Sequence, residues 1–222
     1  MPEAWSSGLT VSSLEPGTGF HLALISNVYG SKVAEKRQSL RVRVGEWNAE
    51  RGADWDIFPH FSPDADIIIL NEMDWGMARS GNQDTTKAMA SSLKMNYAFG
   101  VEFLELTNGN EGEIDATIGK SNDIGYHGNV VMTKWPIIES KIVRLHPLFD
   151  LLSKVKTKGQ AKGERRLGGR MSLFTLVDAG EIGSILVLSM HTHSGSKGYL
   201  LERDVSLLCD EIKKYATPNV II

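Results

Sequence analysis

The sequence predicts an α/β domain built from layered β-sheets with few helices. A continuous apolar run in the segment 66–72 is closed by polar residues, which is typical of a central strand buried on both faces. Residues 40–48 instead alternate apolar and polar side chains, as a strand does. One helix near the end of the chain is clear, because apolar residues recur at spacings of three and four. These residues are Leu201, Val205, Leu208, Ile212 and Tyr215.

Further elements follow from the same periodicities. Residues 107–128 are polar and rich in glycine, which predicts a long loop, and 180–183 suit a hairpin turn. The irregular spacing of strands and helices favours layered sheets over a repeated βαβ unit. Helices are predicted at 54–61 and 82–94, and strands at 97–106, 129–133, 137–145, 171–177, 185–191 and from 219 onward.

The chain has 222 residues, enough for one domain with its own core. We expect residues 1–39 to form a partly disordered extension and 40–222 to form the domain. The net charge of −3 gives no global indication of a nucleic-acid-binding protein. A single cysteine, Cys209, excludes an internal disulfide and is expected to be buried in the apolar pattern of the last helix. No transmembrane segment or signal peptide is recognisable, so we expect an intracellular, cytoplasmic protein.

Polar residues stand at the ends of several predicted strands. Asn48, Glu72 and His191 each follow an apolar strand, and Arg170 precedes another. Because a sheet holds such side chains rigidly beside solvent, strand ends are natural places to build a site. Each residue also has a structural interpretation, as a turn cap, a solvated loop residue or a hydrogen-bonded structural histidine. The coincidence of all four favours a functional site.

Four segments together resemble a known family. They are Val44-Gly-Glu-Trp-Asn48, Ile69-Leu-Asn-Glu-Met-Asp74, the stretch 128–137 that begins Gly-Asn-Val-Val, and Ser189-Met-His-Thr-His193. In this order they resemble successive motifs of the endonuclease/exonuclease/phosphatase superfamily, over residues 40–222. The resemblance implies the DNase I-like fold, a four-layered α/β sandwich.

The resemblance also implies roles for individual residues. Glu72 matches the family's metal-binding glutamate, an oxygen ligand suited to Mg²⁺ or Mn²⁺. Asn48 matches the strand-end asparagine that helps to hold the metal and the phosphate. His191 matches the histidine that binds the scissile phosphate, with Met190 in place of the family's threonine, and Arg170 matches a supporting arginine. The remaining two, His127 and Asn129, are expected to contact the substrate.

The sequence also departs from the family pattern. The family's Asp-x-Asn motif and its C-terminal Asp-His pair do not occur in the chain, which runs to Ile222. We therefore expect a domain that is incomplete at its C-terminus and inactive or crippled as a hydrolase. On this interpretation, the expected substrate is a phosphate ester, namely a nucleic acid, a phospholipid headgroup or an inositol phosphate, and no obligate protein partner is inferred.

Two other interpretations stay open. The chain could be a degenerate family member that acts as a non-catalytic binding or regulatory module, or an unrelated α/β domain that matches the motifs by chance. The basic segment 154–170 could attract a phosphate-rich substrate, or it could be a solvated loop.

Overall fold

Residues 24–27, 41–57, 60, 64–145, 149–150, 164–192 and 198–222 are described by the computed structural model. The α-helices whose bounds lie in this part of the chain are α1 (Thr85–Leu93), α2 (Glu111–Ala116) and α3 (Gly198–Ile212), and Ala78–Ser80 and Gly180–Ile182 form short 3-10 helices. The strands are β1 (Leu24–Asn27), β2 (Val44–Arg51), β3 (Ile67–Trp75), β4 (Asn96–Glu105), β5 (Tyr126–Thr133), β6 (Ile137–Arg144), β7 (Phe149–Asp150), β8 (Arg166–Gly168), β9 (Met171–Asp178), β10 (Ser184–Met190) and β11 (Val220–Ile221).

These strands form two sheets. The seven-stranded sheet has the order β2-β3-β5-β4-β8-β7, and β1 also pairs with β4. In it β2 and β3 are parallel, whereas β5 is antiparallel to both β3 and β4. The four-stranded sheet has the order β11-β10-β9-β6, with β10 and β11 parallel. The carboxyl ends of β2 and β3 therefore meet at one edge of the larger sheet.

The two sheets pack face to face between helices. Because side chains alternate along a strand, Ile67 and Ile69 of β3 face the smaller sheet, where they join Leu173 and Val187 in one core. Ile68 of the same strand lies in a second core on the opposite face. That second core includes Met89 of α1, and a third core packs Leu208 of α3 against Phe174 and Leu186 of the smaller sheet. The predicted four-layered α/β sandwich is thereby confirmed.

Some local predictions were wrong. Of the predicted helix 54–61, the first half is wrong, because residues 52–57 form turns, whereas His60 is helical and the rest of 58–63 lies outside the described residues. The segment 107–128 is not a continuous loop, because it contains α2 and the start of β5. The partly disordered extension 1–39 stays a prediction, and within it Leu24–Asn27 pairs antiparallel with β4. The basic residues between 154 and 163 lie outside the described part of the chain.

Helix α3 fits its predicted stripe only in its second half. Leu208 is buried, and Ile212 packs against the same core. Leu201 and Val205 are each 45% exposed, and Cys209 is exposed, so its predicted burial was wrong. No helix among the described residues is long and apolar enough to cross a membrane.

Candidate active site

The backbone is strained where the carboxyl ends of β2 and β3 meet. Glu72 has φ +62°, and Glu50 and Arg51 have φ +43° and +81°. Non-glycine residues rarely adopt this left-handed region, and they persist there only when the surrounding structure enforces it. The pairing register of β3 shifts at the same point, both against β5 and against β2. These bulges re-aim the side chain of Glu72, which is half-buried between buried neighbours.

A buried serine connects this bulge to the other sheet. The Ser189 hydroxyl lies 3.0 Å from the Leu70 carbonyl oxygen and 3.1 Å from Asn71 Oδ1, and it can donate to either. Ser189 is fully buried on β10, two residues before His191. The contact brings the strand that leads to His191 beside the strand that carries Glu72. As a result, His191 Nε2 lies 3.5 Å from Glu72 Oε1.

The His191 cluster consists of Glu72, Glu102, Arg170 and His191. Glu102 on β4 is fully buried, and its Oε1 accepts a hydrogen bond from Arg170 Nη1 at 2.8 Å. Its other oxygen, Oε2, lies 3.3 Å from His191 Nδ1. The side chains become more exposed from Glu102 (0%) through Arg170 (12%) and His191 (18%) to Glu72 (21%). The cluster is therefore anchored in the core and opens toward solvent at Glu72.

The ring of His191 has two alternative partners at one nitrogen. Nδ1 lies 2.6 Å from Arg170 Nη1 as well as 3.3 Å from Glu102 Oε2. With the proton on Nδ1 the ring donates to Glu102, and with the proton on Nε2 it accepts from Arg170. Both states hold the ring in one plane. In either tautomer the ring therefore keeps one orientation, with Nε2 on the side of Glu72.

The charges around Glu102 keep it ionised. Burial alone would raise its pKa, but the hydrogen bond from His191 and the charges of Arg170, His191 and His127 together hold the pKa below the usual 4.5. A buried carboxylate is thus maintained as the counter-ion of Arg170 and His191. The sequence analysis missed Glu102. The available signal was an acidic residue inside the apolar strand 97–106.

Behind these residues lies a second group of buried charges, which we call the Arg79 cluster. It contains Asp74, Arg79, Glu105, Glu113, His127, Glu164 and Arg166. Arg79 is bidentate to Asp74, with Nε–Oδ2 and Nη2–Oδ1 distances of 2.8 and 2.9 Å. Burial would lower the pKa of Arg79, but the hydrogen bond and the charge of Asp74 raise it. For Asp74, burial is likewise outweighed, and the hydrogen bonds from Arg79 and His127 lower its pKa.

Arg51 joins the two clusters. Its Nη1 lies 3.3 Å from Glu72 Oε2, its Nε 3.0 Å from Glu113 Oε1, and its Nη2 3.5 Å from Glu164 Oε1. Sequence reasoning missed Arg51 and also Arg79. Both are single basic residues, and no local pattern distinguishes them from surface charges.

The structure brings some of the predicted site residues together and separates others. Glu72, His191 and Arg170 belong to one cluster, and exposed Asn48 lies opposite Asn71 in the register of β2 and β3. His127 is buried and hydrogen-bonded to Asp74 at 2.8 Å, within the Arg79 cluster. Asn129 is fully buried, and its Oδ1 has no hydrogen-bond partner among the described residues. Contact of His127 or Asn129 with a substrate stays a prediction.

Two buried glutamates on β4 differ in electrostatic environment. Glu102 accepts hydrogen bonds, whereas neither carboxylate oxygen of Glu105 has a hydrogen-bond partner among the described residues. Burial raises the pKa of Glu105, and the nearby charges of His127, Arg79 and Arg166 offset this only in part. The ionised form is thus favoured at Glu102 and disfavoured at Glu105.

We expect Glu102→Gln to lower the free energy of unfolding at pH 7 by about 2 kcal/mol, the usual worth of hydrogen bonds to a charged group. Glu105→Gln should leave it unchanged or raise it. The stability that comes from Glu102 is present above pH 4.5 and is lost as the pH falls through its lowered pKa. The stability that comes from Glu105 is present below pH 4.5 and is lost as the pH rises through the raised pKa of Glu105. Urea titrations between pH 3 and 8 measure the free energy of unfolding of both variants. Equal losses of stability at pH 7 would contradict the predicted difference between Glu102 and Glu105.

The described residues do not assemble a metal site from protein side chains alone. No group of three or more His, Cys, Asp and Glu side chains among them could hold a metal ion. Oxygen donors of the type that Mg²⁺ prefers are nevertheless present near the carboxyl ends of β2 and β3, inside the strands and not at their last residues as predicted. These are the half-buried Glu72 carboxylate and the amide oxygen of Asn48, which accepts a hydrogen bond from the Glu50 N–H at 3.2 Å.

Comparisons with known proteins identify the fold. No protein-family model matches the chain, and no curated protein matches it. A solved endonuclease/exonuclease/phosphatase from Beutenbergia cavernae matches with a TM-score of 0.50 and 18% identity, over 78% of this chain and 44% of that one. The chain thus spans less than half the length of that protein. At this identity the likeness shows the fold and not the activity.

Two further structures match less closely. The human Nocturnin catalytic domain with a bound sulfate anion has a TM-score of 0.49 and 15% identity, over 78% of this chain and 58% of that one. An endonuclease/exonuclease/phosphatase family protein from Leptotrichia buccalis has a TM-score of 0.46 and 12% identity, over 81% of this chain and 65% of that one.

Proposed function

We propose that this chain, whose fold is that of a solved endonuclease/exonuclease/phosphatase, is part of a divalent-metal-dependent phosphoester hydrolase. One observation carries the proposal. A strained backbone presents the carboxylate of Glu72 to solvent, 3.5 Å from a histidine whose orientation is fixed by a buried glutamate and arginine. Strain and buried ion pairs concentrated around one accessible carboxylate are typical of a site for chemistry.

The proposed metal is Mg²⁺ or Mn²⁺. Glu72 would hold it through a carboxylate oxygen, with the amide oxygen of Asn48 as a second donor. This donor set fits, because protein-bound Mg²⁺ commonly uses only one or two carboxylates and completes its coordination with water and substrate phosphate. When bound, the metal would neutralise phosphate charge and polarise a phosphate oxygen.

The remaining steps belong to the protein side chains. His191 Nε2 points to the side of Glu72, so it is positioned to donate a hydrogen bond to a phosphate oxygen held there. Arg170 supplies positive charge, and Glu102 keeps both groups in place before the substrate arrives. Pre-oriented donors stabilise the charge that develops in the transition state. We assign the activation of water to none of the described residues. We therefore expect the protein of residues 1–222 to hydrolyse a phosphate ester only slowly.

The substrate class is a phosphate ester, and a nucleic acid, a phospholipid headgroup and an inositol phosphate share the group that this cluster would recognise.

A non-catalytic binding or regulatory role is the second candidate. The ion pair between Arg51 and Glu72 favours it, because it already neutralises the proposed metal ligand. Metal binding at Glu72 distinguishes the two candidates.

Glu72→Gln tests the proposal. We expect wild-type protein to bind Mn²⁺ saturably, and the variant to bind it at least about 100-fold more weakly, because a charged ligand becomes neutral. Calorimetry and the electron paramagnetic resonance of free Mn²⁺ both measure this affinity. Glu46→Gln is the matched control, since it removes an exposed carboxylate from β2. Hydrolysis of a diester and a monoester with and without Mg²⁺ is recorded in parallel. Unchanged Mn²⁺ affinity in Glu72→Gln would refute the assignment.

A further inference from the structure

We infer that Arg51 is a built-in counter-ion that competes with the divalent metal for Glu72, and that Glu113 and Glu164 retain it when the metal binds. The inference rests on the proposed metal site at Glu72. The guanidinium of Arg51 contacts three carboxylates, at 3.0, 3.3 and 3.5 Å. A single positive charge shared by three negative charges can lose one partner and stay neutralised.

A metal ion and Arg51 would compete for the same oxygen of Glu72. Mg²⁺ lies about 2.0–2.1 Å from a ligand oxygen. Nη1 of Arg51 is 3.3 Å from Oε2 of Glu72, so an ion bound to Oε2 would face the guanidinium at short range. Like charges at such a distance repel each other. The repulsion is weak in bulk water and stronger where the protein excludes water. The side chain of Arg51 is 22% exposed, so much of this repulsion would be unscreened. Metal binding at Oε2 therefore favours the withdrawal of Nη1.

The other two anchors of Arg51 are fixed in advance. Glu113 forms a capping box with Asn110 at the start of α2, which holds its carboxylate in place. Gly109 packs so closely that a Cβ there would lie 1.9 Å from Glu113 Oε2. Glu164 is held by Arg166 at 3.3 Å. These contacts do not depend on Glu72, so they would survive the withdrawal of Nη1.

The backbone of Arg51 is fixed as well. Gly52 follows with φ +66°, and a Cβ there would lie 2.8 Å from Thr85 Oγ1. The turn is therefore packed against α1 and cannot easily shift. The change between the metal-free and metal-bound states is confined to the side chain of Arg51, which remains beside the metal after its release.

The test is the Mn²⁺ affinity of Arg51→Met. We expect about tenfold tighter binding than in the wild type, since the metal no longer displaces a charge-assisted hydrogen bond. Arg51→Lys keeps the charge but loses the planar fork, so we expect a smaller increase. Arg43→Met is the charge-matched control, because Arg43 is exposed and pairs with exposed Asp64. Its affinity should stay within about twofold of the wild type.

Glu113→Gln tests the retaining anchor. The glutamine preserves the capping box but removes one charge that holds Arg51, so Arg51 should remain on Glu72 more firmly and Mn²⁺ should bind more weakly. In the double variant with Arg51→Met, most of this weakening should disappear, which a double-mutant cycle measures.

The outcomes separate this inference from the proposed function. If wild type binds no Mn²⁺ saturably, or if Glu72→Gln does not weaken binding, the metal site itself is wrong. If Glu72→Gln weakens binding but Arg51→Met and Arg51→Lys bind Mn²⁺ no more tightly than the wild type, the metal site stands and the role of Arg51 is refuted. Thermal unfolding of each variant establishes that the folded protein was measured.

Discussion

Arg79→Met is expected to lower the free energy of unfolding by about 3–5 kcal/mol, the usual loss when one partner of a buried ion pair is removed. Arg79 is 3% exposed and bonds in a bidentate way to Asp74, which is fully buried. Methionine fills similar volume but donates no hydrogen bond, so the carboxylate of Asp74 would keep only His127 as a described partner. The midpoint of urea unfolding at pH 7 measures the loss.

The pH dependence of the same variant is a second readout. The lowered pKa of Asp74 means that its contribution to stability is present above pH 3.8 and is lost as the pH falls through the folded value. Without Arg79 that pKa should rise, so the variant should lose less stability than the wild type between pH 7 and pH 3. Arg43→Met serves as the exposed control and should change stability by less than about 1 kcal/mol. Similar effects of the two variants would mean that the Arg79 cluster does not stabilise the fold as described.

Gly128→Ala is expected to lower the free energy of unfolding by about 3 kcal/mol, at the upper end for an added methyl group in a packed core. A Cβ at this position would lie 2.0 Å from the Gly100 carbonyl oxygen and 3.2 Å from the Glu102 nitrogen, both on β4. Backbone atoms cannot rotate away as a side chain does, so β4 and β5 would have to separate beside Glu102. Loss of stability should therefore accompany a change in the environment of His191, visible in its imidazole NMR signals.

Gly112→Ala is the matched control for this substitution. Gly112 lies in α2, and the nearest atom to its added Cβ is 3.5 Å away. Alanine there should be neutral or stabilise by up to about 1 kcal/mol, because it restricts the unfolded chain. If the two alanine variants unfold at the same urea concentration, the close approach of β4 and β5 is not a constraint.

The layers could be predicted because the pattern of apolar residues along each strand indicates which of its faces are buried. The apolar run of β3 and the apolar stripe that contains Leu208 are formed by residues close together in the chain, so the sequence alone shows them. Helix α2 was missed although its signal was present, since Asn110 and Glu113 form the capping box that marks a helix start. The turns at 52–57 were misread as the start of a helix, although Gly52 adopts a left-handed conformation just before the predicted segment.

The centre of the candidate site could be predicted only in part. Glu72 closes the apolar run of β3 and His191 follows β10, and the sequence shows both patterns, although β3 continues past Glu72 to Trp75. The sequence does not show the role of Glu102, because its partners Arg170 and His191 are 68 and 89 residues away along the chain. Only the folded sheet brings them together, and an isolated acidic residue in a strand does not predict its partners.

The left-handed backbone at Glu72 also bears on how this position tolerates mutation. Glycine adopts φ +62° without steric penalty, whereas glutamate does not, so the fold by itself favours glycine there. Selection for stability alone would tend to remove the carboxylate, whereas selection for the proposed metal site would retain it. Position 72 is thus one where the two pressures oppose each other, and a library of variants sorted only for folding should be depleted of glutamate at this residue.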